Sequence, residues 1–124
     1  MGAPDGGQGS RTLGELLYAD EKDPASERDW LGLVQSIAAR QPLALRALYQ
    51  RTHRLVFTSS MRITKARESA EQAMLDVFHD VWRRAAGYDA GAETVLGWIM
   101  NLARYRAIEW ARFEPRQQHV GQGE

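Results

Sequence analysis

Between Trp30 and Trp110 the apolar residues of this chain return every three or four positions, and no stretch alternates apolar with polar. A spacing near 3.6 gathers residues on one side of a helix, whereas a half-buried strand needs a period of two. No Asn-Gly or Asp-Gly pair joins two β-branched runs, so hairpins also lack their turn. The expected fold class is all-α. Four helices follow from the pattern. Ser26 offers an N-cap, Glu27 and Asp29 sit in a first turn that favours anions, and Trp30, Leu33, Val34 and Ile37 share one face, which predicts a helix over 27–40. Pro42 suits a new first turn, and Leu45, Leu48, Tyr49, Thr52 and Val56 carry the period to about residue 61. Thr64 can cap a third helix over 65–85, with Ala70, Met74, Val77, Phe78 and Val81 on one side. Gly87 and Gly91 bracket a loop, and the last helix is expected from Glu93 to about Arg112.

A chain of 124 residues with 44% hydrophobic positions can bury one modest core but not two. The expected organisation is a leader over 1–25, a compact bundle of about four helices over 26–113, and a polar tail or the start of a linker over 114–124, with both ends unstructured. The leader is rich in glycine, and only Thr12 to Tyr18 has the spacing for a short helix. No apolar run approaches the roughly 20 residues of a membrane span, and the first ten residues lack the basic and apolar parts of a signal peptide. Membrane insertion is not expected, and the chain is read as cytoplasmic.

Formal charge cancels at sixteen Lys+Arg against sixteen Asp+Glu, but its distribution is uneven. Residues 1–29 carry seven acidic groups against Arg11, Lys22 and Arg28. The remainder is therefore basic by four charges, an acidic leader before a basic body.

Catalysis has little to stand on. Cysteine is absent, which removes disulfides, thiolate metal sites and thiol nucleophiles. His53, His79 and His119 lie in different segments with no i,i+4 pair, so a metal site is not expected. No glycine-rich phosphate loop follows a strand. Asp76 and Asp80 are one turn apart, but with His79 and Arg83 beside them they read as an exposed charged face. The chain is therefore read as a non-enzyme without a cofactor.

Two helix faces are less ordinary. On the third helix Glu68, Gln72, Asp76, His79 and Arg83 oppose the apolar stripe with Leu75 beside them, which is either a docking row or a solvated face with one stray leucine. On the fourth, Val95, Leu96, Ile99, Leu102, Ala103 and Trp110 form a core arc, while Trp98, Asn101, Arg104, Tyr105, Ile108 and Arg112 occupy the other side. Aromatic rings beside arginines make a platform for unpaired bases and phosphates. The rival reading is that this helix packs on two sides and the rings are core, most of all Trp98. Arg106 projects into the apolar arc and should need a carboxylate, from the third helix or from Glu109.

The order and separation of several elements resemble region 2 of a bacterial sigma factor of the sigma-70 family, nearest to the extracytoplasmic-function (ECF) class. They are Leu48-Tyr49, the run Ala70-Glu71-Gln72-Ala73-Met74-Leu75-Asp76-Val77-Phe78-His79-Asp80-Val81-Trp82-Arg83-Arg84, Tyr88-Asp89, Gly97-Trp98-Ile99 and Leu102 to Glu109. The resemblance covers about residues 28–112. It implies that the second helix and the polar face of the third grip the β′ subunit of core RNA polymerase, with Gln72, Leu75, Asp76 and His79 as contacts. It also implies that the loop over 87–94 and the last helix recognise and melt the promoter −10 element and hold its single-stranded non-template strand. The DNA-side residues would be Tyr88, Trp98, Asn101, Arg104, Tyr105 and Arg112, with a pocket for a flipped base around Tyr88–Glu93. Gln72 and Leu75 stand where the family usually has an acidic residue and a glutamine, and Tyr105 stands where an asparagine is common. A full member continues to a second helical domain that reads the −35 element, so an excised domain is expected over a natural one-domain relative. The competing reading is a sigma-like module that binds an anti-sigma factor without reading DNA.

Overall fold

The computed structural model describes residues 24–122, with side chains described for 26–113. Leader residues 1–23, including the helix considered at Thr12 to Tyr18, lie outside the described residues, and residues 24 and 25 belong to the first helix. Four α-helices and one short 3₁₀ turn make up the described chain, and no strand occurs among the described residues. Helix α1 runs Pro24–Ala38, α2 Pro42–Thr64, α3 Arg67–Arg84 and α4 Val95–Gln122, with the 3₁₀ turn at Ala85–Gly87 after α3. Helices α2, α3 and α4 each pack extensively on the other two, and α1 lies against α2, the 3₁₀ turn and α4.

The periodic residues form the core. Ile37 of α1, Leu48 and Val56 of α2, Val77 and Val81 of α3, and Ile99 of α4 are all fully buried. Each such side chain stabilises the fold by roughly 1.5–3 kcal/mol.

Helix ends depart from the sequence reading in instructive ways. Helix α1 starts at Pro24, so Ser26 sits inside the first turn rather than capping it; a proline at the start of a helix gives up a donor that would have no partner there. It stops at Ala38 because Arg40 takes a left-handed conformation with φ 67°, while the Gln41 amide returns to the Ser36 carbonyl at 3.1 Å. The Arg40 side chain is tied down as well: Nη1 donates to the Trp82 carbonyl at 2.7 Å, and the guanidinium lies 4.9 Å from the centroid of the Trp82 ring. Only Lys65, also left-handed at φ 57°, and Ala66 separate α2 from α3. Ala66 is the N-cap of α3, and Thr64 supports it by accepting the Ala66 amide at 3.4 Å.

Thr94 caps α4 by accepting the Gly97 amide at 3.0 Å. A Cβ at position 97 would stand 3.0 Å from that hydroxyl, so glycine leaves the cap its room. A second acceptor for the same helix end comes from far away in sequence, since the Glu27 carboxylate takes the Val95 amide. This carboxylate ties α1 to the positive end of α4. Helix α4 continues to Gln122, ten residues past the expected end at Arg112. Pro115 lacks the amide of one helical hydrogen bond, which is why the sequence suggests a stop there, but the backbone carries on.

Candidate functional site

Helix α3 presents two kinds of polar position. Gln72, Leu75 and His79 are exposed along its outer strip, and Leu75 is 56% exposed although apolar. Leu75 therefore sits in the open rather than at the margin of the core. Asp76 is half-buried at the side of this strip, where its Oδ2 accepts the Trp110 indole N–H of α4 at 2.8 Å. The four residues placed together by the sequence thus share one side of α3, with Asp76 also engaged by α4.

Asp80 corrects the expectation that Asp76 and Asp80 form an exposed pair. It is only 1% exposed. One helical turn beyond Asp76 it turns further towards α4, where Arg106 donates Nε to Oδ2 at 2.7 Å and Nη2 to Oδ1 at 2.8 Å. Arg83 donates to the same carboxylate. Burial alone pushes the Asp80 carboxyl up, but the hydrogen bonds from Arg106 and Arg83 and the charges of Arg106 and Arg84 outweigh it, leaving the pKa below its ordinary 3.8. The hydrogen bond to Asp80 in turn raises the Arg106 pKa against the opposing effect of its own burial, and Glu109 adds to the rise. Arg106 also reaches Glu109 Oε1 at 3.0 Å, so both carboxylate sources foreseen for it are used.

On α4, Asn101, Arg104, Tyr105 and Arg112 are exposed, and Tyr105 is 57% exposed. Their spacing places them along one side of the helix. Trp98 does not join them. It is buried, with its ring 4.9 Å from that of Tyr88, which corrects its placement among the DNA-facing residues. The reason is that α4 is covered differently along its length: the loop carrying Tyr88 and the start of α1 close over its first turns, and the side is open at Asn101, Arg104, Tyr105 and Arg112. The double-sided packing considered for this helix therefore applies at Trp98 and not at Tyr105.

The loop between the 3₁₀ turn and α4 is tied internally. Tyr88 is half-buried and its hydroxyl donates to the Glu93 carbonyl. Asp89 Oδ1 accepts the Gly91 amide at 2.9 Å, and Asn101 donates from Nδ2 to Glu93 Oε1 at 3.2 Å. Burial pushes the Tyr88 phenol up, and the negative charges of Glu27, Glu93 and Asp89 add to the rise. This end of α4 is acidic, and the exposed arginines stand further along the helix. The contacts that sequence reasoning missed, Glu27 to Val95 and Trp110 to Asp76, pair residues 68 and 34 positions apart. Helical periodicity reports which face a residue occupies but not which residue faces it.

No group of three or more His, Cys, Asp or Glu is placed to hold a metal ion among the described residues. No described helix is long and apolar enough to cross a membrane.

Comparison with known proteins gives a consistent set of relatives, although no protein-family model matches the chain. An ECF RNA polymerase sigma factor SigK of Mycolicibacterium vanbaalenii is 31% identical over 103 residues, covering 83% of this chain and 53% of the relative. The SigK of Mycobacterium sp. strain KMS is 33% identical over 82 residues, 66% of this chain and 42% of the relative. That of Mycobacterium tuberculosis strain H37Ra is 25% identical over 91 residues, 73% and 49%. The chain spans about half the length of the curated relatives it matches.

Proposed function

By sequence the chain belongs with the ECF RNA polymerase sigma factors, and from that premise we propose that it acts in transcription initiation as a region-2 domain. The outer strip of α3, with Gln72, Leu75, Asp76 and His79, docks on the β′ subunit of core RNA polymerase. The open side of α4, with Asn101, Arg104, Tyr105 and Arg112, holds the non-template strand of the −10 element, and the Tyr88 loop supplies the sequence-selective part. No bond is made or broken. The domain captures bases that have left the stack and so offsets an unstacking cost of a few kcal/mol.

The observation that carries this reading is the exposure of both sets on one locked bundle. Leu75 on α3 and Tyr105 on α4 are large side chains left 56% and 57% open, while Asp80 and Arg106 fix the two helices to each other behind them. A surface leucine needs no explanation alone. A leucine in a polar docking row and a tyrosine between arginines each match the chemistry assigned to that side.

The deciding measurement is the affinity of the full chain for a single-stranded −10-type oligonucleotide as salt is raised. A strand-holding domain loses affinity with a log–log slope of about −0.7 per phosphate contacted. The second reading, a module that occupies an anti-sigma factor without reading DNA, is favoured by the apolar Leu75 in the α3 row. It predicts negligible binding even at low salt.

A further inference from the structure

Two carboxylates and two aromatic rings converge where the middle of α3 passes the C-terminal part of α4. Asp76, Glu109, Trp110 and Phe113 line a small open pocket there. Its walls are held in place. The Trp110 indole N–H is fixed on Asp76 Oδ2 at 2.8 Å, and Phe113 meets Trp110 edge-on, with centroids 5.6 Å apart and planes at 85°. Glu109 is oriented by Arg106, which bonds its Oε1 at 3.0 Å while spending its other two contacts on Asp80. Asp76 and Glu109 each retain a second oxygen, and Phe113 is 41% exposed.

The chemistry of that lining selects its occupant. Aromatic faces carry negative quadrupole density and attract a cation lying over them. Two carboxylates add formal negative charge, which Arg106 offsets only in part through its single bond to Glu109, since its other two contacts go to Asp80. An anion is repelled from such a pocket, and a purely apolar group would desolvate two carboxylates without compensation. A side chain with an apolar stem and a cationic head satisfies both halves, the stem against the rings and the head at the free oxygens. We propose that this pocket receives one arginine or lysine side chain of the protein that docks on α3. The assignment rests on the reading of α3 as a protein-docking face, with which the pocket shares Asp76.

The test is a titration of the ¹⁵N-labelled full chain with arginine amide, followed at the indole N–H resonances. The chain has four tryptophans, and three serve as internal references: Trp30 and Trp98 are buried, and Trp82 already carries Arg40 on its ring. Trp110→Phe assigns the remaining signal. The expected result is a saturable shift of the Trp110 resonance alone, absent with the neutral isostere citrulline amide, and weakened about fivefold by Glu109→Gln or Phe113→Ala. A shift that does not saturate, equal shifts with citrulline amide, or indifference to both substitutions overturns the proposal. A second arm measures affinity for bacterial core RNA polymerase. If the wild-type chain binds and Phe113→Ala binds equally well, the pocket is not part of docking and the proposal fails. If the wild-type chain does not bind at all, the docking reading of α3 falls, and the titration alone then decides whether the pocket takes a cation.

Discussion

Arg106 holds Asp80 by two parallel hydrogen bonds of 2.7 and 2.8 Å, joining α4 to α3 at a point where the carboxylate is 1% exposed. A two-point guanidinium–carboxylate pair constrains orientation as well as distance. Because the pair joins the two helices that carry the proposed binding faces, it constrains how those faces are presented relative to each other.

Asp80→Asn leaves the Arg106 and Arg83 guanidiniums facing a neutral amide, and breaking one side of a buried pair costs about 3–5 kcal/mol. Unfolding by urea should show a loss of that order. The double replacement Asp80→Leu with Arg106→Met should recover most of it, because the charges that lose a partner, Arg83 and Glu109, are 49% and 42% exposed and remain solvated. A double variant as unstable as Asp80→Asn would mean that the pair contributes net stability beyond cancelling its own desolvation.

The same carboxylate makes stability depend on acid. Its folded pKa lies below the ordinary 3.8, so the unfolded chain takes up a proton first as pH falls. The contribution of Asp80 is complete well above pH 3.8 and is lost progressively below it, as pH falls through the folded pKa. Urea midpoints recorded from pH 6 down to pH 2.5 should fall more steeply for the wild-type chain than for the Leu/Met double variant. Parallel curves would show that Asp80 titrates alike in both states.

Much of this arrangement is legible in the sequence, and the limits fall at particular residues. The periodic placement of Val34, Leu48, Val77 and Ile99 in the core follows from spacing alone. The need of Arg106 for a carboxylate follows from its position in an apolar arc. The choice of Asp80 does not, because Asp76 and Asp80 are only one turn apart and, with His79 and Arg83 beside them, both read as an exposed charged face. Tertiary contact separates them, giving one to Arg106 and the other to Trp110. Trp98 and Tyr105 present the same problem on α4: both lie on the side opposite the core arc, and only the cover supplied by α1 and the Tyr88 loop distinguishes buried from open. Such cover is a property of the assembled bundle, beyond the reach of any single helix.

If the α3 and α4 faces act separately, substitutions on one should spare the other. Leu75→Arg replaces an exposed side chain and should abolish co-purification with core RNA polymerase while helical circular dichroism and oligonucleotide affinity stay unchanged. Tyr105→Ala should weaken oligonucleotide binding by about 1–3 kcal/mol, the usual value of one stacked base, and leave polymerase binding intact. Arg104→Ala should reduce the salt slope by about 0.7. A variant of either face that impairs both activities would show that the surface it alters is structural.

The turn between α1 and α2 poses a balance that two substitutions resolve. Arg40 adopts φ 67°, a conformation that costs a residue with a Cβ roughly 1 kcal/mol or more relative to glycine. Its side chain offsets this through the hydrogen bond to the Trp82 carbonyl and the contact with the Trp82 ring, the latter worth about 0.5–1 kcal/mol at an exposed site. Arg40→Ala keeps the strain and loses both contacts, so thermal unfolding should show a clear destabilisation of about 1–2 kcal/mol. Arg40→Gly loses the same contacts but relieves the strain, and it should be more stable than the alanine variant by about 1 kcal/mol. Equal stability of the two variants would mean that the strain relieved at the turn is just offset by the extra freedom glycine gives the unfolded chain. The reverse order, with alanine more stable than glycine, would show that the extra freedom glycine gives the unfolded chain outweighs any relief at the turn.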